Sequence, residues 1–337
     1  MNDAASADGQ VSGRIGFVVI GRNEGERLVR CLESLGRVGH STIVYVDSGS
    51  TDNSLIEAER LGAHNVKLDM SKPFNAGRAR NEGFEELLRK DPEIGFVQFI
   101  DGDCELSPGW LSCALTFLDE NPAVAIVCGR RKEKSPEASA YNRLCDMEWN
   151  TPVGEAEACG GDSLVRVQPF RDVGGFSTKL IAGEEPELCY RLRFAGWKIW
   201  RIDAAMTIHD AAMFRLSQWW MRGVRSGFGY AQVWSATRAG QGTPLYGQQI
   251  RRAVIWAGMI PLSAAVASLH DLRWALVLMA IYGMQVCRIA VRLGASAKAS
   301  WSYGFFATLA KFPELQGVCK YLLTAARGGQ KTAILYK

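Results

Sequence analysis

Short continuous apolar runs alternate with amphipathic stretches through the N-terminal third of the chain. Residues 15–20 read as a buried strand, and the polar residues 21–26 as the loop after it. Leu28, Cys31, Leu32 and Leu35 then recur at the helical period, which predicts a helix over 26–36. A second apolar strand is expected at 42–46, followed by Asp47-Ser48-Gly49-Ser50-Thr51-Asp52. Ser50 or Thr51 is the expected N-cap of a helix running to about Leu61, with Asp52 favouring its first turn. A short strand at 65–68, a helix at 76–89 and a strand at 96–100 complete the series. Strands apolar on both faces, alternating with amphipathic helices, imply a parallel sheet covered on each side.

The middle of the chain is more mixed. A strand is expected at 124–128, followed by a basic stretch at 130–134. Gly160-Gly161-Asp162 precedes a short apolar stretch at 163–167, and 170–176 reads as a short helix ending at Gly174-Gly175. Gly183-Glu184-Glu185-Pro186-Glu187 opens a helix with Leu188, Leu192 and Ala195 on one face and Gly196 at its end. The C-terminal part is different in kind. Residues 253–269 carry no charge, His270-Asp271-Leu272-Arg273 breaks the run, and 274–287 is apolar again. Arg251 and Arg252 precede this hairpin, 253–287, and Arg288 and Arg292 follow it, which places both ends on the cytoplasmic side of a membrane. Each run falls slightly short of the roughly 20 residues a span needs, so a buried or re-entrant helical pair is the competing arrangement. Residues 305–327 suit a membrane interface, with Pro313 interrupting any helix there. The expected organisation is a tail at 1–13, an α/β domain at 14–235 and a helical region at 236–337.

Composition adds bounds. The 337 residues are 47% hydrophobic and 22% charged, ample for a large core. The net charge of +4 suits a phosphate-bearing substrate or an anionic membrane surface. Lys and Arg do not form a run interleaved with aromatics, so no nucleic-acid partner is expected. The 9 cysteines are scattered, without C-x-x-C pairs or zinc-like spacing, and read as small buried hydrophobes in a reducing cytosol. Residues 1–12 are small and polar, unlike a secretory signal.

The chemistry concentrates where the strands end. Asp101-Gly102-Asp103 directly follows the apolar strand 96–100. Two carboxylates so placed suit a hard divalent cation bound through oxygen, although a solvated Asp-Gly-Asp turn uses the same residues. Asn23-Glu24 and Asp47 also fall just beyond strands, and ligands of open α/β sheets gather at the carboxyl ends of strands. The first strand is followed by neither G-x-G-x-x-G nor a P-loop, which disfavours dinucleotide and P-loop nucleotide sites.

The ordered set of 17–24 (Phe-Val-Val-Ile-Gly-Arg-Asn-Glu), 46–52 (Val-Asp-Ser-Gly-Ser-Thr-Asp), Ala79-Arg80-Asn81, Asp101-Gly102-Asp103 and Gly183-Glu184-Glu185 resembles the family-2 glycosyltransferases of the GT-A fold, over about residues 14–235. The hairpin and the closing Tyr-Lys are similar to those of bacterial membrane-associated enzymes of cell-surface polysaccharide synthesis. The resemblance implies an inverting transfer from a nucleotide-diphospho sugar, uridine- or guanosine-based, to a hydroxyl of a saccharide or lipid-linked acceptor. It implies that Asp47 meets the nucleotide base, Asn23 and Glu24 the base or ribose, Arg80 the nucleotide or diphosphate, and Asp101 the ribose. Asp103 and His209 are the implied ligands of Mg²⁺ or Mn²⁺, with Asp210 orienting the imidazole. Glu185 stands where the family's Asp serves as general base, one methylene longer, and Glu184 is the second candidate. Gly161 and Asp162 are assigned to the acceptor side, and Arg222 and Arg225 to the diphosphate. Gln218-Trp219-Trp220-Met221-Arg222 departs from the Q-x-x-R-W spacing of processive members, which implies addition of a single sugar. A nucleotidyltransferase and a non-catalytic, membrane-tethered sugar-nucleotide scaffold are the alternatives.

Overall fold

A computed structural model of the chain describes residues 15–39, 41–240 and 242–328. The expected tail at 1–13 and the closing Tyr-Lys lie outside the described residues. The chain forms two compact units, the first holding residues up to Ser135 with Cys145–Ala212, the second Pro136–Leu144 with the residues from Met213 on. The division at 212/213 falls ahead of the boundary expected at 235.

The first unit follows the order β1 (Ile15–Gly21), α1 (Glu26–Gly36), β2 (Ile43–Asp47), α2 (Ser54–Arg60), β3 (His64–Lys67), α3 (Ala76–Lys90), β4 (Phe96–Asp101), β5 (Cys104–Leu106), α4 (Trp110–Glu120) and β6 (Val124–Glu133). Helix α5 (Ala140–Glu148) runs across the division between the units, and the first continues with β7 (Gly154–Glu155), β8 (Ser163–Arg166), α6 (Val167–Asp172), α7 (Glu184–Phe194) and β9 (Lys198–His209). The strands form one sheet in the order β3-β2-β1-β4-β8-β6-β9-β5, with β7 on β9.

The expected parallel sheet is observed for β3, β2, β1 and β4, and beyond them β6 and β9 are also parallel to each other. β8 runs antiparallel to both β4 and β6, and β5 antiparallel to β9, so the sheet is mixed. Leu164 and Val165 are buried on opposite faces just as a parallel strand's residues would be, so strand direction leaves no trace in the apolar pattern. The basic stretch at 130–134 continues β6, which pairs with β9 through shifts of register.

Alternate residues of each central strand feed two cores. Phe17 and Val19 pack with Leu28, Leu32 and Leu35 of α1 on one face, and Val18 packs with Ala79, Phe84 and Leu87 of α3 on the other. Phe170 anchors the second core, its ring centroid 4.7 Å from Phe84, 5.4 Å from Phe99 and 5.3 Å from Phe176. Each fully buried Leu or Phe contributes roughly 1.5–3 kcal/mol, which fixes strand faces and therefore where strand ends point. The expected caps of α2 are not used: Asn53 precedes the helix, Asp52 accepts the Ser54 and Gly25 N–H groups, and Ser50 and Thr51 bond instead to Asn23.

The second unit is helical: α8 (Leu216–Thr237), α9 (Gly247–Val254), a π turn (Ile255–Met259), α10 (Ile260–Ser268), α11 (Arg273–Arg292), α12 (Lys298–Leu309) and α13 (Lys311–Ala326). Helices α8 and α13 approach closely at Gly227 and Gly317, where an added Cβ would lie 1.9 Å from the Glu314 carbonyl oxygen and 2.1 Å from that of Val224. The π turn lies just before Pro261, which cannot donate the next helical hydrogen bond. Pro313 sits in the first turn of α13, where its missing N–H costs nothing, so the interruption falls before it. The two apolar runs belong to helices of 22 residues (Gly247–Ser268) and 20 residues (Arg273–Arg292), longer than the runs suggested. Met259, Leu262, Val266, Leu276, Met279 and Met284 are exposed along them.

Candidate active site

The ends of β1, β2 and β4 are neighbours in the sheet, which brings three polar loops together. The first two are laced to each other. Asn23, at φ 54°, accepts the Thr51 N–H at 2.7 Å and donates its own N–H to Ser50 Oγ at 2.9 Å. Glu24 pairs with Arg27 at 2.7 Å. Asp47 is buried; its Oδ2 accepts the N–H groups of Gly49 and Ser50, both at 3.0 Å, and its Oδ1 accepts the Tyr45 hydroxyl at 3.2 Å. This carboxylate builds the turn after β2, leaving only part of its accepting capacity for a ligand. Burial, then the Asp47 charge, push the Tyr45 phenol well above its ordinary pKa, so it remains a donor.

The third loop turns at Gly102, whose N–H donates to the Ile20 carbonyl at 2.8 Å. The chain then enters β5, which pairs antiparallel with the end of β9, Cys104 opposite His209. That register sets His209 Nε2 at 3.4 Å from Asp103 Oδ1. The imidazole stands edge-on to Trp149, with ring centroids 4.7 Å apart. Its Nδ1 lies 4.0 Å from Glu133 Oε2, whose carboxylate also accepts the Ala211 N–H at 3.1 Å. Asp210, expected to orient the imidazole, faces Arg30 at 3.6 Å instead. One carboxylate oxygen and one imidazole nitrogen at the mouth of the sheet fit a divalent cation whose remaining positions are filled by substrate oxygens and water.

Asp101 and Glu184 are held differently. Arg80, 3% exposed, donates to Asp101 Oδ1 and to Glu184 Oε1, each at 2.8 Å. Burial opposes the guanidinium charge, but Asp101 and Glu184 outweigh it and raise its pKa. Arg80, expected at the donor, is thus a buried clamp between two carboxylates. Its neighbour Asn81 bonds twice to the Phe176 backbone, at 2.8 and 2.9 Å, and Asn75 holds the Thr178 carbonyl at 2.7 Å, tying α3 to the loop before α7. Gly161 lies against this clamp: an added Cβ would sit 2.6 Å from Arg80 Nη2.

Asp162, expected to hold an acceptor hydroxyl, is fully buried and occupied. It accepts the Asp101 N–H at 3.0 Å and the Thr207 hydroxyl at 2.9 Å, and pairs with Arg131 at 2.9 Å. It is therefore a brace that joins β4, β6, β8 and β9. Glu184 and Glu185 begin α7 behind Gly183, at φ 84°. Glu185 Oε1 accepts the Cys159 N–H at 2.6 Å and lies 3.1 Å from Cys159 Sγ and 3.0 Å from Cys189 Sγ. Arg222 belongs to α8 in the second unit. Sequence reasoning missed Trp149, Glu133, Arg131, Cys159 and Cys189. An Arg in a run that continues an apolar strand was the available signal for Arg131, and the four-residue spacing of Glu185 and Cys189 on a helix was the signal for that pair.

A mixed α/β sheet with a carboxylate–imidazole pair at its mouth and acidic residues opening a helix beside it is the arrangement of a GT-A glycosyltransferase. The glycosyl transferase family 2 model matches residues 17–216, and the chain belongs to that family. Among its relatives, the pre-mycofactocin glycosyltransferase of Mycobacterium tuberculosis is 28% identical over 203 residues, 56% of this chain and 41% of that protein. The succinoglycan biosynthesis protein ExoA of Rhizobium meliloti is 27% identical over 184 residues, 50% of this chain and 54% of that protein. The chain thus spans about half the length of the curated relatives it matches. Among solved structures, the mannosyltransferase PcManGT from Pyrobaculum calidifontis, in complex with GDP-Man and Mn²⁺, superposes with a TM-score of 0.66 at 16% identity, covering 92% of this chain and 87% of that one. That likeness concerns the fold.

Proposed function

We propose that the protein is an inverting, divalent-cation-dependent glycosyltransferase that moves a sugar from a nucleotide-diphospho donor to an acceptor hydroxyl. The observation that carries this reading is the Asp103–His209 pair at 3.4 Å, assembled by the β5–β9 register at the mouth of the sheet. These two residues would hold Mg²⁺ or Mn²⁺, which supplies charge neutralisation at a departing diphosphate. Asn23, Glu24 and the free accepting capacity of Asp47 face the nucleotide, and Asp101, steadied by Arg80 and Asp162, faces the ribose. Glu185 takes the proton of the acceptor hydroxyl. Its Oε1 is held by donors from Cys159 and Cys189, which leaves Oε2 for that proton. Such a base contributes about 10²–10⁴-fold. Glu184 is committed to Arg80, so Glu185 is the base and Glu184 aligns the clamp.

The exposed apolar helices Gly247–Ser268 and Arg273–Arg292 support a place at the cytoplasmic face of a membrane, with Arg251, Arg252, Arg288 and Arg292 at the cytoplasmic ends. A saccharide or lipid-linked acceptor of cell-surface glycan synthesis is the matching substrate. The test is product analysis with a panel of nucleotide sugars and Mn²⁺. Release of nucleoside diphosphate with inversion at the anomeric carbon is expected. Release of pyrophosphate would make the protein a nucleotidyltransferase, and retention of configuration would remove Glu185 from its role.

A further inference from the structure

The side chains of Cys159, Glu185 and Cys189 meet in the first unit, apart from the Asp103–His209 pair. Their donor atoms lie within 4.8 Å of one another, and Cys159 and Cys189 are both free thiols. The two sulfurs are 3.7 Å apart. A tetrahedral ion about 2.3 Å from each of two sulfurs sets them about 3.8 Å apart, the separation found here. A carboxylate oxygen about 2.0 Å from the same ion would stand about 3.5 Å from each sulfur. Glu185 Oε1 stands at 3.1 and 3.0 Å, so a side-chain withdrawal of about half an ångström completes the fit.

We propose that Cys159, Glu185 and Cys189 form a site for a thiophilic divalent cation of the zinc type, with the fourth position open to water. Glu185 and Cys189 are one helical turn apart on α7, and Cys159 comes from the loop before β8, anchored by its N–H on Glu185 at 2.6 Å. The set therefore exists in space although the sequence shows no zinc-like cysteine spacing. Cys159 is half-buried and gives the ion its way in, while Cys189 is fully buried. Two sulfurs and one oxygen favour Zn²⁺ over Mg²⁺ or Mn²⁺, whereas the oxygen and nitrogen donors of Asp103 and His209 suit the harder ions. Coordination replaces the contacts between the thiols and the carboxylate, and the two thiol protons pass to solvent. It also takes Glu185 away from the acceptor hydroxyl. The consequence, inhibition of transfer by zinc in the presence of saturating Mn²⁺, rests on the reading of Glu185 as base.

Cobalt titration of the chelator-treated full chain tests the site directly. A thiolate-to-cobalt charge-transfer band saturating at one equivalent is expected. Cys104→Ser, which removes the thiol beside Asp103, keeps the band; Cys159→Ala and Cys189→Ala each abolish it. Because Cys189 packs in the core, Cys159→Ala is the deciding variant, checked for folding by circular dichroism. Absence of the band in the wild type, or an unchanged band in Cys159→Ala, overturns the proposal. In a parallel assay the zinc concentration for half-inhibition should rise at least about tenfold in Cys159→Ala. A band that requires Cys159 but brings no inhibition keeps the site and overturns Glu185 as the base.

Discussion

Two acidic regions of the first unit lie at the mouth of the same sheet and are held by different partners. At Asp103 and His209, donor atoms from two strands face each other, a carboxylate oxygen 3.4 Å from an imidazole nitrogen. At Asp101, Glu184 and Asp162, arginines already neutralise the carboxylates: the buried Arg80 pairs with the first two and the partly buried Arg131 with the third. The two regions thus differ in the partner each carboxylate meets: an imidazole from a neighbouring strand in the first, a guanidinium in the second. Burying an unpaired charge costs several kcal/mol, so removing either guanidinium should be costly.

Substitutions can break this contrast. Arg80→Met strands Asp101 and Glu184 together and should destabilise the protein by about 3–5 kcal/mol in urea denaturation, with or without ligands. A change well under 1 kcal/mol would show that the clamp is solvated. Asp162→Asn keeps hydrogen-bond acceptors for Asp101 and Thr207 but leaves Arg131 without its charge partner; about 1.5–3 kcal/mol should be lost in the same measurement. The smallest effect sharpens the comparison at an exposed carboxylate. Slight burial raises the Asp52 pKa, but hydrogen bonds from Ser54 and Gly25 outweigh it and hold the carboxyl below its ordinary value. The folded form therefore gains stability above the unfolded pKa of about 4, and that gain disappears as pH falls through the lower, folded value. The stability difference between wild type and Asp52→Asn should accordingly shrink as acid unfolding is scanned below about pH 4.

The sequence revealed most where one strand carries the whole signal. An apolar run ended by Asp101-Gly102-Asp103 shows both the strand and the chemistry at its mouth, and the parallel series β3-β2-β1-β4 follows from the alternation of apolar runs and helices. It revealed least where partners are remote. The pairing of Asp103 with His209 was implied by the family resemblance alone, because it depends on the antiparallel β5–β9 pairing and a three-residue strand such as Cys104–Leu106 leaves no periodicity to read. That Arg80 turns inward depends on Asp101 and Glu184, distant in sequence, while a helix-face arginine usually points to solvent. Asp162 looked available because it follows two glycines, yet those glycines let the chain fold it inward against Arg131 and Thr207. The apolar hairpin was legible in type but not in length, because its helices extend through the flanking arginines.

The measurement that bears most directly on the account is thermal unfolding with a saturating nucleotide sugar, with and without Mn²⁺, in wild type and Asp103→Asn. At about 100 times the dissociation constant the ligand should add ~2.7 kcal/mol, a clear rise in Tm. The account predicts that this rise needs the cation and disappears in Asp103→Asn, while the variant without ligand melts near the wild type. An equal rise without the cation, or one that survives the loss of Asp103, would contradict it.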